Sequence, residues 1–479
     1  MLIFRSYLVF FSLALFSFLP FLPMTGKAAP QPLQRDAREI GEAELAFNGK
    51  DYIKATALYQ ILARKNNPFA QYQLGYLYLH GYALSKDTRL AAEWFKKAVD
   101  QKLPEAQFAL GLMHYYGLGV PQDLSLAVSL FQASAAKPEQ MNYPAAAYML
   151  GYLSSMGYGL PRDPEATVQW YSKAAALGQA QAQYNLGLLY YRGNSGGSST
   201  AHQDYAKALN LFLAAANQHL VKAQFMVGLM YSLGQGVAAD KKQAAFWYAQ
   251  AASAGLDLAQ YNLGVMYFTG EDLPLNRSFG IQLISRAATS GLPLAQYLMG
   301  YITMNGLGVT TDMPQALKWY QKSAQQGLGE AQFALGYYYY KGVGVEQDSR
   351  QALTWFYAAA KAGIVNAQYM IGLFYQEGIS VAADQKMAAY WYNQAALQGM
   401  ENAQLMLGLM YAQGQGVPHD NKLAYAWFNL AAASNNPAFH ASVLQVREEM
   451  AKSMGPAEIL LAKQLSLQLD QRIKAALPV

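Results

Sequence analysis

One glycine returns at a fixed interval of 36 residues over much of this chain, as at Gly300, Gly336, Gly372 and Gly408. Ala-Gln stands shortly before each of these glycines, and a glycine-containing turn, an Asp and a Trp-aromatic pair follow at constant distances. A period of this length indicates supersecondary units that stack on one another, because a single unit cannot bury its own apolar face. We therefore predict a solenoid rather than a series of globular domains.

Ten glycines hold this place in the period, and we call them the anchor glycines. They are Gly75, Gly111, Gly151, Gly187, Gly228, Gly264, Gly300, Gly336, Gly372 and Gly408. The interval from Gly111 to Gly151 is 40 residues and that from Gly187 to Gly228 is 41. The extra residues fall near 137–143 and at 194–200. The second insertion is rich in Gly and Ser, which predicts a surface loop.

Each repeat is predicted to form two helices. In one repeat, helix A covers about residues 331–340 and helix B about residues 349–361. A residue that can cap the first turn of helix B stands at one position in all ten repeats. These residues are Asp87, Asp123, Asp163, Asp204, Asp240, Asn276, Asp312, Asp348, Asp384 and Asp420. Glycines fifteen residues after the cap mark the end of helix B in most repeats. They are Gly178, Gly255, Gly291, Gly327, Gly363 and Gly399.

The anchor glycines lie inside helix A, where each costs about 1 kcal/mol relative to Ala. Their recurrence predicts that another backbone approaches them closely, and helix B is the expected neighbour because Ala352 and Ala359 are small. All seven Trp residues stand seven positions after the cap, and we expect them to be wedges in the core. They are Trp94, Trp170, Trp247, Trp319, Trp355, Trp391 and Trp427.

The N-terminal residues 1–28 are typical of a secretory signal. Arg5 precedes an apolar run at residues 7–19, and small residues at Gly26 and Ala28 fit cleavage after Ala28. The run is short for a span, which needs about 20 residues, so an uncleaved anchor is the alternative. The sequence has no Cys, which excludes a lipid-modified cysteine and disulfide bonds. A periplasmic or secreted protein is expected, with no transmembrane segment in the mature chain.

The remaining sequence is assigned around the repeats. Residues 29–38 are a linker, 39–66 a capping helix pair, 67–436 the repeats and 437–479 two capping helices. The final helix places several Leu opposite Lys, Gln and Arg, as the exposed end of a solenoid requires.

The repeat pattern resembles the Sel1-like repeat, a relative of the tetratricopeptide repeat. The residues that carry the resemblance are Ala331-Gln332, Leu335-Gly336, Tyr339, Gly342-Val343-Gly344-Val345, Asp348, Ala352, Trp355-Phe356, Ala359 and Gly363. The resemblance implies a right-handed α-solenoid of about ten helix-pair repeats that scaffolds protein complexes. Exported bacterial members of that family include envelope regulators, modulators of cell-wall enzymes and factors used against host cells. A cysteine-rich secreted branch has disulfides, and this chain without Cys falls outside it.

Signals for catalysis are scarce, and we expect no enzyme activity, metal or cofactor. Ser134-Ala-Ala-Lys137 matches part of a penicillin-recognising site but lacks its companion motifs, so a β-lactamase-like hydrolase is the weaker alternative. The six His residues are dispersed and lack metal-ligand spacing. Gly-x-Gly triplets such as that at Gly117 are interpreted as turns between helices. Asn276 begins an Asn-Arg-Ser glycosylation pattern but also occupies a cap position.

The formal net charge of +5 is small and scattered along the chain, which favours neither nucleic acid nor an anionic membrane as a partner. The expected partner is a protein or peptide bound in a concave groove lined by helices A, and the protein is expected to be a monomer. By analogy with tetratricopeptide solenoids, this groove is lined by tyrosines that stand just after the anchor glycines or one turn further along helix A. They are Tyr76, Tyr115, Tyr152, Tyr191, Tyr301, Tyr337 and Tyr340. The alternatives are a factor for host interaction or entry and a modulator of cell-wall enzymes.

Overall fold

The computed structural model describes residues 34–136, 143–193, 203–271 and 273–476. Within these ranges every element of regular secondary structure is an α-helix. The predicted leader at residues 1–28 and the insertion at 194–200 lie outside the described residues. The first insertion also lies outside them, apart from Tyr143 at its end.

The helices follow one another with short connections. They are α1 (Gln34–Asn48), α2 (Tyr52–Arg64), α3 (Pro68–His80), α4 (Thr88–Asp100), α5 (Pro104–Tyr116), α6 (Leu124–Ala135), α7 (Pro144–Met156), α8 (Pro164–Ala176), α9 (Ala180–Arg192), α10 (Tyr205–Ala216), α11 (Val221–Leu233), α12 (Lys241–Ser253), α13 (Asp257–Thr269), α14 (Arg277–Thr289), α15 (Pro293–Asn305), α16 (Met313–Gln325), α17 (Gly329–Lys341), α18 (Ser349–Lys361), α19 (Val365–Glu377), α20 (Gln385–Ala396), α21 (Glu401–Gln413), α22 (Asn421–Ala431), α23 (Pro437–Ala451) and α24 (Pro456–Ala476).

The chain divides into two compact units, Met1–Ala223 and Gln224–Val479, which we call the first and second unit. In each unit a helix packs against the helix that follows it in sequence, so each is a solenoid of helix pairs. The odd-numbered helices α3 to α21 contain the anchor glycines and are the helices A, and the even-numbered helices α4 to α22 are the helices B. The predicted all-α solenoid is confirmed. Helix α1 begins at Gln34, inside the segment assigned to a linker.

Each helix B begins at its predicted cap. Asp348 Oδ1 accepts hydrogen bonds from the backbone N–H groups of Arg350 and Gln351 at 2.9 and 3.0 Å. The backbone N–H of Asp348 donates to Tyr339 O, at 2.9 Å, and the equivalent bond recurs in all ten repeats. It ties the start of each helix B to the helix A before it. At the other end, Gly363 adopts a left-handed backbone with φ of 91°, as the C-terminal glycines were predicted to do.

The anchor glycine makes room for an aromatic ring of helix B. A Cβ atom added at Gly336 would lie 2.7 Å from Phe356 Cδ1 and 3.2 Å from Ala352 O. The Phe356 ring is fully buried, and it also contacts Phe333 of helix A and Phe374 of the next helix A, with ring centroids 5.7 and 5.6 Å away. An aromatic ring of helix B lies against the anchor glycine in eight further repeats. These rings belong to Phe95, Phe131, Tyr171, Phe212, Tyr248, Tyr320, Tyr392 and Phe428.

The remaining repeat, formed by α13 and α14, has no aromatic ring at this contact. Ile284 takes its place, and Gly280 replaces the usual Ala. A Cβ atom added at Gly264 would lie 2.9 Å from Gly280 O, and one added at Gly280 would lie 2.7 Å from Gly264 O. Here the two backbones themselves approach, as the sequence predicted for every repeat.

The aromatic wedge is the residue after each Trp, so the prediction that Trp is the wedge is wrong. Trp355 is half-buried and packs on the cluster that includes Leu317 and Tyr320 of the preceding helix B. Successive residues on a helix point about 100° apart, so only one member of the Trp-aromatic pair can face the anchor glycine. Trp427 alone among the seven is buried, with 3% of its surface exposed.

The Gln of the Ala-Gln pair is buried and links three helices. Gln296 Nε2 donates to Ala288 O in the preceding helix B at 3.1 Å. Gln296 Oε1 accepts a hydrogen bond of 2.8 Å from Gln326, just past the helix B of its own repeat. In the sequence, Ala-Gln is recognisable only by its constant spacing, which does not indicate this link. Three other repeats make the same Gln-to-Gln bond, and their pairs are Gln71 with Gln101, Gln183 with Gln218, and Gln368 with Gln398.

Gln332 has only half of this link. Its Nε2 donates to Ala324 O at 3.1 Å, but Ala362 stands where another repeat has Gln326. Among the described residues no group donates to the buried Gln332 Oε1. Replacing Ala362→Gln should supply the donor and stabilise the protein by about 1 kcal/mol, while Gln326→Ala should cost about 1 to 3 kcal/mol by leaving Gln296 Oε1 unpaired. Urea denaturation measures both, and a destabilising Ala362→Gln would contradict the link.

The corrected position of the wedge gives a second prediction. Phe356→Ala should lower the free energy of unfolding by about 3 to 5 kcal/mol, because it empties the space between Gly336 and Phe333. Trp355→Ala should cost less, since that side chain is half-buried. Denaturation of both variants provides the measurement. A larger loss for Trp355→Ala would restore Trp as the wedge.

Candidate protein-binding surface

The position after the anchor glycine is at least partly exposed in every repeat of the second unit. In the second unit it is occupied by apolar or aromatic side chains, which are Leu229, Val265, Tyr301, Tyr337, Leu373 and Leu409. Tyr301 in α15 is 46% exposed and Tyr337 in α17 is 42% exposed. These two tyrosines therefore present large rings to solvent from the same position of consecutive repeats.

Other aromatic rings support the two exposed tyrosines. Tyr337 makes an edge contact with Tyr338, with ring centroids 6.4 Å apart. Tyr338 and Tyr297 lie at 5.4 and 5.6 Å from the buried Tyr320. Burial raises the pKa of Tyr320, and its hydrogen bond to Tyr338 adds to the rise. Tyr320 therefore stays uncharged at neutral pH.

The surface around Tyr301 carries little charge. Helix α15 contains no Asp, Glu, Lys or Arg, and in α17 Glu330 and Lys341 stand near the two ends. Asn305 Nδ2 donates to Tyr301 O at 2.8 Å, one turn further along α15. The arrangement offers apolar area with hydroxyl tips, which suits contact with another protein chain.

Tyr340 lies in a different environment. It is half-buried, and its ring centroid is 5.4 Å from that of Phe374 in the next helix A. Lys341 Nζ stands 4.9 Å from the centroid of the same ring. Tyr340 thus packs between α17 and α19, and less of it is open to a partner than of Tyr337.

The four predicted tyrosines of the first unit are all half-buried among other rings. Tyr115 shares a hydrogen bond with Tyr152. Burial is the main cause that raises the pKa of Tyr115, and the nearby Tyr152 and Tyr116 raise it further. Tyr191 lies against Tyr205 of α10 at a centroid distance of 5.3 Å. These contacts leave less ring surface free than at Tyr301.

Tyr76 belongs to a stack of rings at the end of α3. Tyr76 and His80 have centroids 4.0 Å apart, His80 and Tyr82 are 5.5 Å apart, and Tyr82 lies 4.6 Å from Tyr52. His80 Nδ1 donates to Tyr76 O at 2.9 Å. Burial lowers the pKa of His80, although its hydrogen bond to Tyr76 opposes that change. The stack joins the first repeat to the helix pair α1 and α2.

The partial penicillin-recognition motif has a structural role at its serine. Ser134 is fully buried, and its Oγ donates to Pro104 O at 2.8 Å. Ser323 holds the same place in another repeat and donates to Pro293 O at 2.8 Å. The hydroxyl of Ser134 is therefore engaged in helix packing. Lys137 lies outside the described residues.

The described part of the chain offers no group of three or more His, Cys, Asp or Glu side chains placed to hold a metal ion. None of its helices combines the length and apolar character needed to cross a bilayer. Gly117 and Gly119 lie in a turn between helices with φ of 70°, as predicted for the Gly-x-Gly triplets. Asn276 caps α14 by accepting from the Phe279 N–H at 3.1 Å.

Comparison with known families and structures agrees with the repeat pattern. A family model described as Sel1 repeat matches ten consecutive segments, at residues 68–103, 104–138, 144–179, 180–220, 221–256, 257–292, 293–328, 329–364, 365–400 and 402–436. No curated protein matches the chain.

Two solved structures are similar over much of the chain. One is a protective antigen present in uropathogenic Escherichia coli strains that displays an SLR fold, with 29% identity and a TM-score of 0.78, covering 91% of this chain and 92% of its own. The other is a Sel1 repeat protein from Oxalobacter formigenes, with 32% identity and a TM-score of 0.54, covering 66% of this chain and 90% of its own.

Proposed function

This chain belongs to the Sel1 repeat family, and we therefore propose that it is a non-catalytic scaffold that binds a protein or peptide on the helix-A surface of its second unit. Proteins built from such repeats are generally protein-interaction scaffolds. The proposal adds a location, the surface around Tyr301 and Tyr337, and a mode of recognition.

One observation carries the proposal. Tyr301 and Tyr337 are the exposed tyrosines among the seven predicted site residues, at 46% and 42%, and they stand in consecutive repeats. A solvent-exposed tyrosine on a rigid helix gives large contact area at low cost in side-chain entropy, and such residues dominate the energy of many interfaces. The pair is therefore placed to act as the centre of a binding surface.

The neighbouring repeats support an apolar mode of recognition. Val265, Leu373 and Leu409 hold the tyrosine position in the other second-unit repeats that follow α11. With no charged residue on α15, electrostatic steering contributes little here. A partner segment with apolar or aromatic side chains fits this surface better than a highly charged one.

The experiment begins with a photoreactive amino acid at position 301 or 337, crosslinking in cells and mass spectrometry of the captured protein. With that partner purified, the double variant Tyr301→Ala/Tyr337→Ala should weaken binding roughly tenfold or more, as loss of interface hot spots does. Tyr390→Ala on α20 is the matched control, because Tyr390 is 51% exposed on a helix B. If the control weakens binding and the double variant leaves it within about twofold, the surface is misplaced.

A second part of the proposal concerns location. We propose that the chain is exported, because residues 1–28 have the pattern of a cleaved signal. The likeness to a protective antigen of Escherichia coli supports a location that the immune system of a host can reach. It also favours a host-interaction role, rather than modulation of cell-wall enzymes, as the second candidate function.

Export predicts a mature N-terminus near Ala29 in a periplasmic or culture fraction, because the apolar run is short for a membrane anchor. N-terminal sequencing of fractionated protein is the measurement. An intact leader in washed membranes would show that the chain is anchored instead.

A further inference from the structure

Charge is strongly segregated in the second unit. Its helices B contain ten Lys or Arg residues and no Asp or Glu within their bounds. Eight of these basic side chains are exposed, and they are Lys242, Arg277, Arg286, Lys318, Lys322, Arg350, Lys361 and Lys386. Among the residues that the structure describes, no carboxylate forms an ion pair with any of the eight. An Asp caps each of these helices except α14, and Asp348 Oδ1, for example, accepts backbone N–H groups. Glu346, in the loop before α18, is not a cap and borders the same depression as Arg350.

Most of these side chains lie along one side of their helices. Counted from the N-cap, they stand two, six, ten or thirteen residues on, which is the spacing of a single helix face. Lys318 and Lys322 of α16 and Lys386 of α20 are examples. We call the exposed residues at these positions in α12, α14, α16, α18 and α20 the outer face.

Neighbouring helices B contact one another, so their outer positions form one surface. The rings of Tyr357 in α18 and Trp391 in α20 have centroids 5.7 Å apart. Trp355 of α18 packs on the buried cluster that includes Leu317 and Tyr320 of α16. Lys318 and Lys322 also border a shallow depression around Trp319.

Two aromatic rings stand among the basic residues of the outer face. Phe246 is 52% exposed and Tyr390 is 51% exposed, and both stand six residues after a cap. Each ring makes an edge contact with the Trp that follows it, Trp247 or Trp391, at a centroid distance of 5.3 Å. Exposed aromatic side chains within a cationic surface are typical of faces that enter the headgroup layer of a bilayer.

The first unit lacks this segregation. At equivalent positions its helices B carry Glu93 and Asp100 in α4 and Glu165 in α8. The sequence-based expectation that no anionic membrane is a partner rested on charge averaged over the chain. The average conceals a difference between the two sets of helices B.

We propose that the outer face of the second unit is a peripheral attachment surface for an anionic phospholipid bilayer. The helices B would lie toward the headgroups, with lysines and arginines near lipid phosphates and with Phe246 and Tyr390 between them. A bilayer is favoured over nucleic acid for two reasons. The basic side chains are spread over five helices rather than clustered, and the rings of Phe246 and Tyr390 suit an apolar layer. This surface is separate from Tyr301 and Tyr337, so its test is independent of the proposed scaffold function.

The test is co-sedimentation of the full chain with vesicles of phosphatidylcholine, with and without phosphatidylglycerol. The apolar residues 7–19 can partition into both kinds of vesicle, so the readout is the ratio of anionic to neutral binding. We expect a ratio well above one that falls as salt rises, because salt screens exposed charges. Each basic residue near an anionic surface adds roughly fivefold to partitioning. Lys318→Gln/Lys322→Gln/Lys386→Gln should therefore lower the ratio roughly a hundredfold.

The matched control removes three exposed bases from the first unit, as Lys54→Gln/Arg89→Gln/Lys96→Gln. It changes the net charge by the same amount and should leave the ratio within about twofold. Equal losses in the two triple variants would assign binding to net charge alone and overturn the proposal. The proposal would also be overturned if the parent protein binds anionic and neutral vesicles equally. Binding to duplex DNA or polyglutamate without binding to anionic vesicles would overturn it as well.

A further pair of variants tests the rings. Phe246→Ser/Tyr390→Ser should weaken binding to anionic vesicles while its salt dependence remains, because the charges are intact. Melting temperatures of all variants close to that of the parent confirm that exposed side chains alone were changed. If Phe246→Ser/Tyr390→Ser leaves vesicle binding unchanged, the two rings do not enter the bilayer, and the argument for a bilayer as the partner fails.

Discussion

The contact between an anchor glycine and the aromatic ring of helix B is the interaction on which the rest of the structure depends. At Gly336 any side chain would meet the Phe356 ring at 2.7 Å, so the spacing between the helices is set by the thickness of that ring. The adjacent Trp is thereby turned toward the preceding repeat. One local contact thus fixes both the helix pair and its stacking. This explains why Gly is kept at this position although it destabilises a helix relative to Ala.

Because that contact and the buried Gln use the inward positions, the outward positions are free to differ between repeats. On helices A this freedom places Tyr301 and Tyr337 at a position that holds Leu or Val in the other repeats of the second unit. On helices B it collects Lys and Arg in the second unit but both signs of charge in the first. The repeat therefore supplies a constant frame, and two surfaces with different chemistry can be carried on its two layers.

Much of the fold could be predicted because its determinants are local. The bounds of α18 were predicted from a cap Asp and a terminal Gly, which act within one turn. Trp355 was wrongly predicted as the wedge, although Phe356 stands four residues after Ala352 and three before Ala359 and so shares their helix face. Tyr76 and Tyr301 likewise share one position, but the rings of Tyr82 and His80 cover only the first. Exposure depends on neighbouring turns that the repeat pattern does not specify.

The uneven distribution of the Gln-to-Gln bond has a consequence for motion. Gln296 connects the helices on both sides of it, whereas Gln332 reaches only the preceding one. In a linear array, cooperativity depends on the coupling between neighbours, and regions with weaker coupling open first. The array in the second unit is then a chain of links with unequal strength. The helix pair α17 and α18 is held by the Gly336–Phe356 contact and the Asp348-to-Tyr339 bond, without the additional polar link that joins α15 to the end of α16.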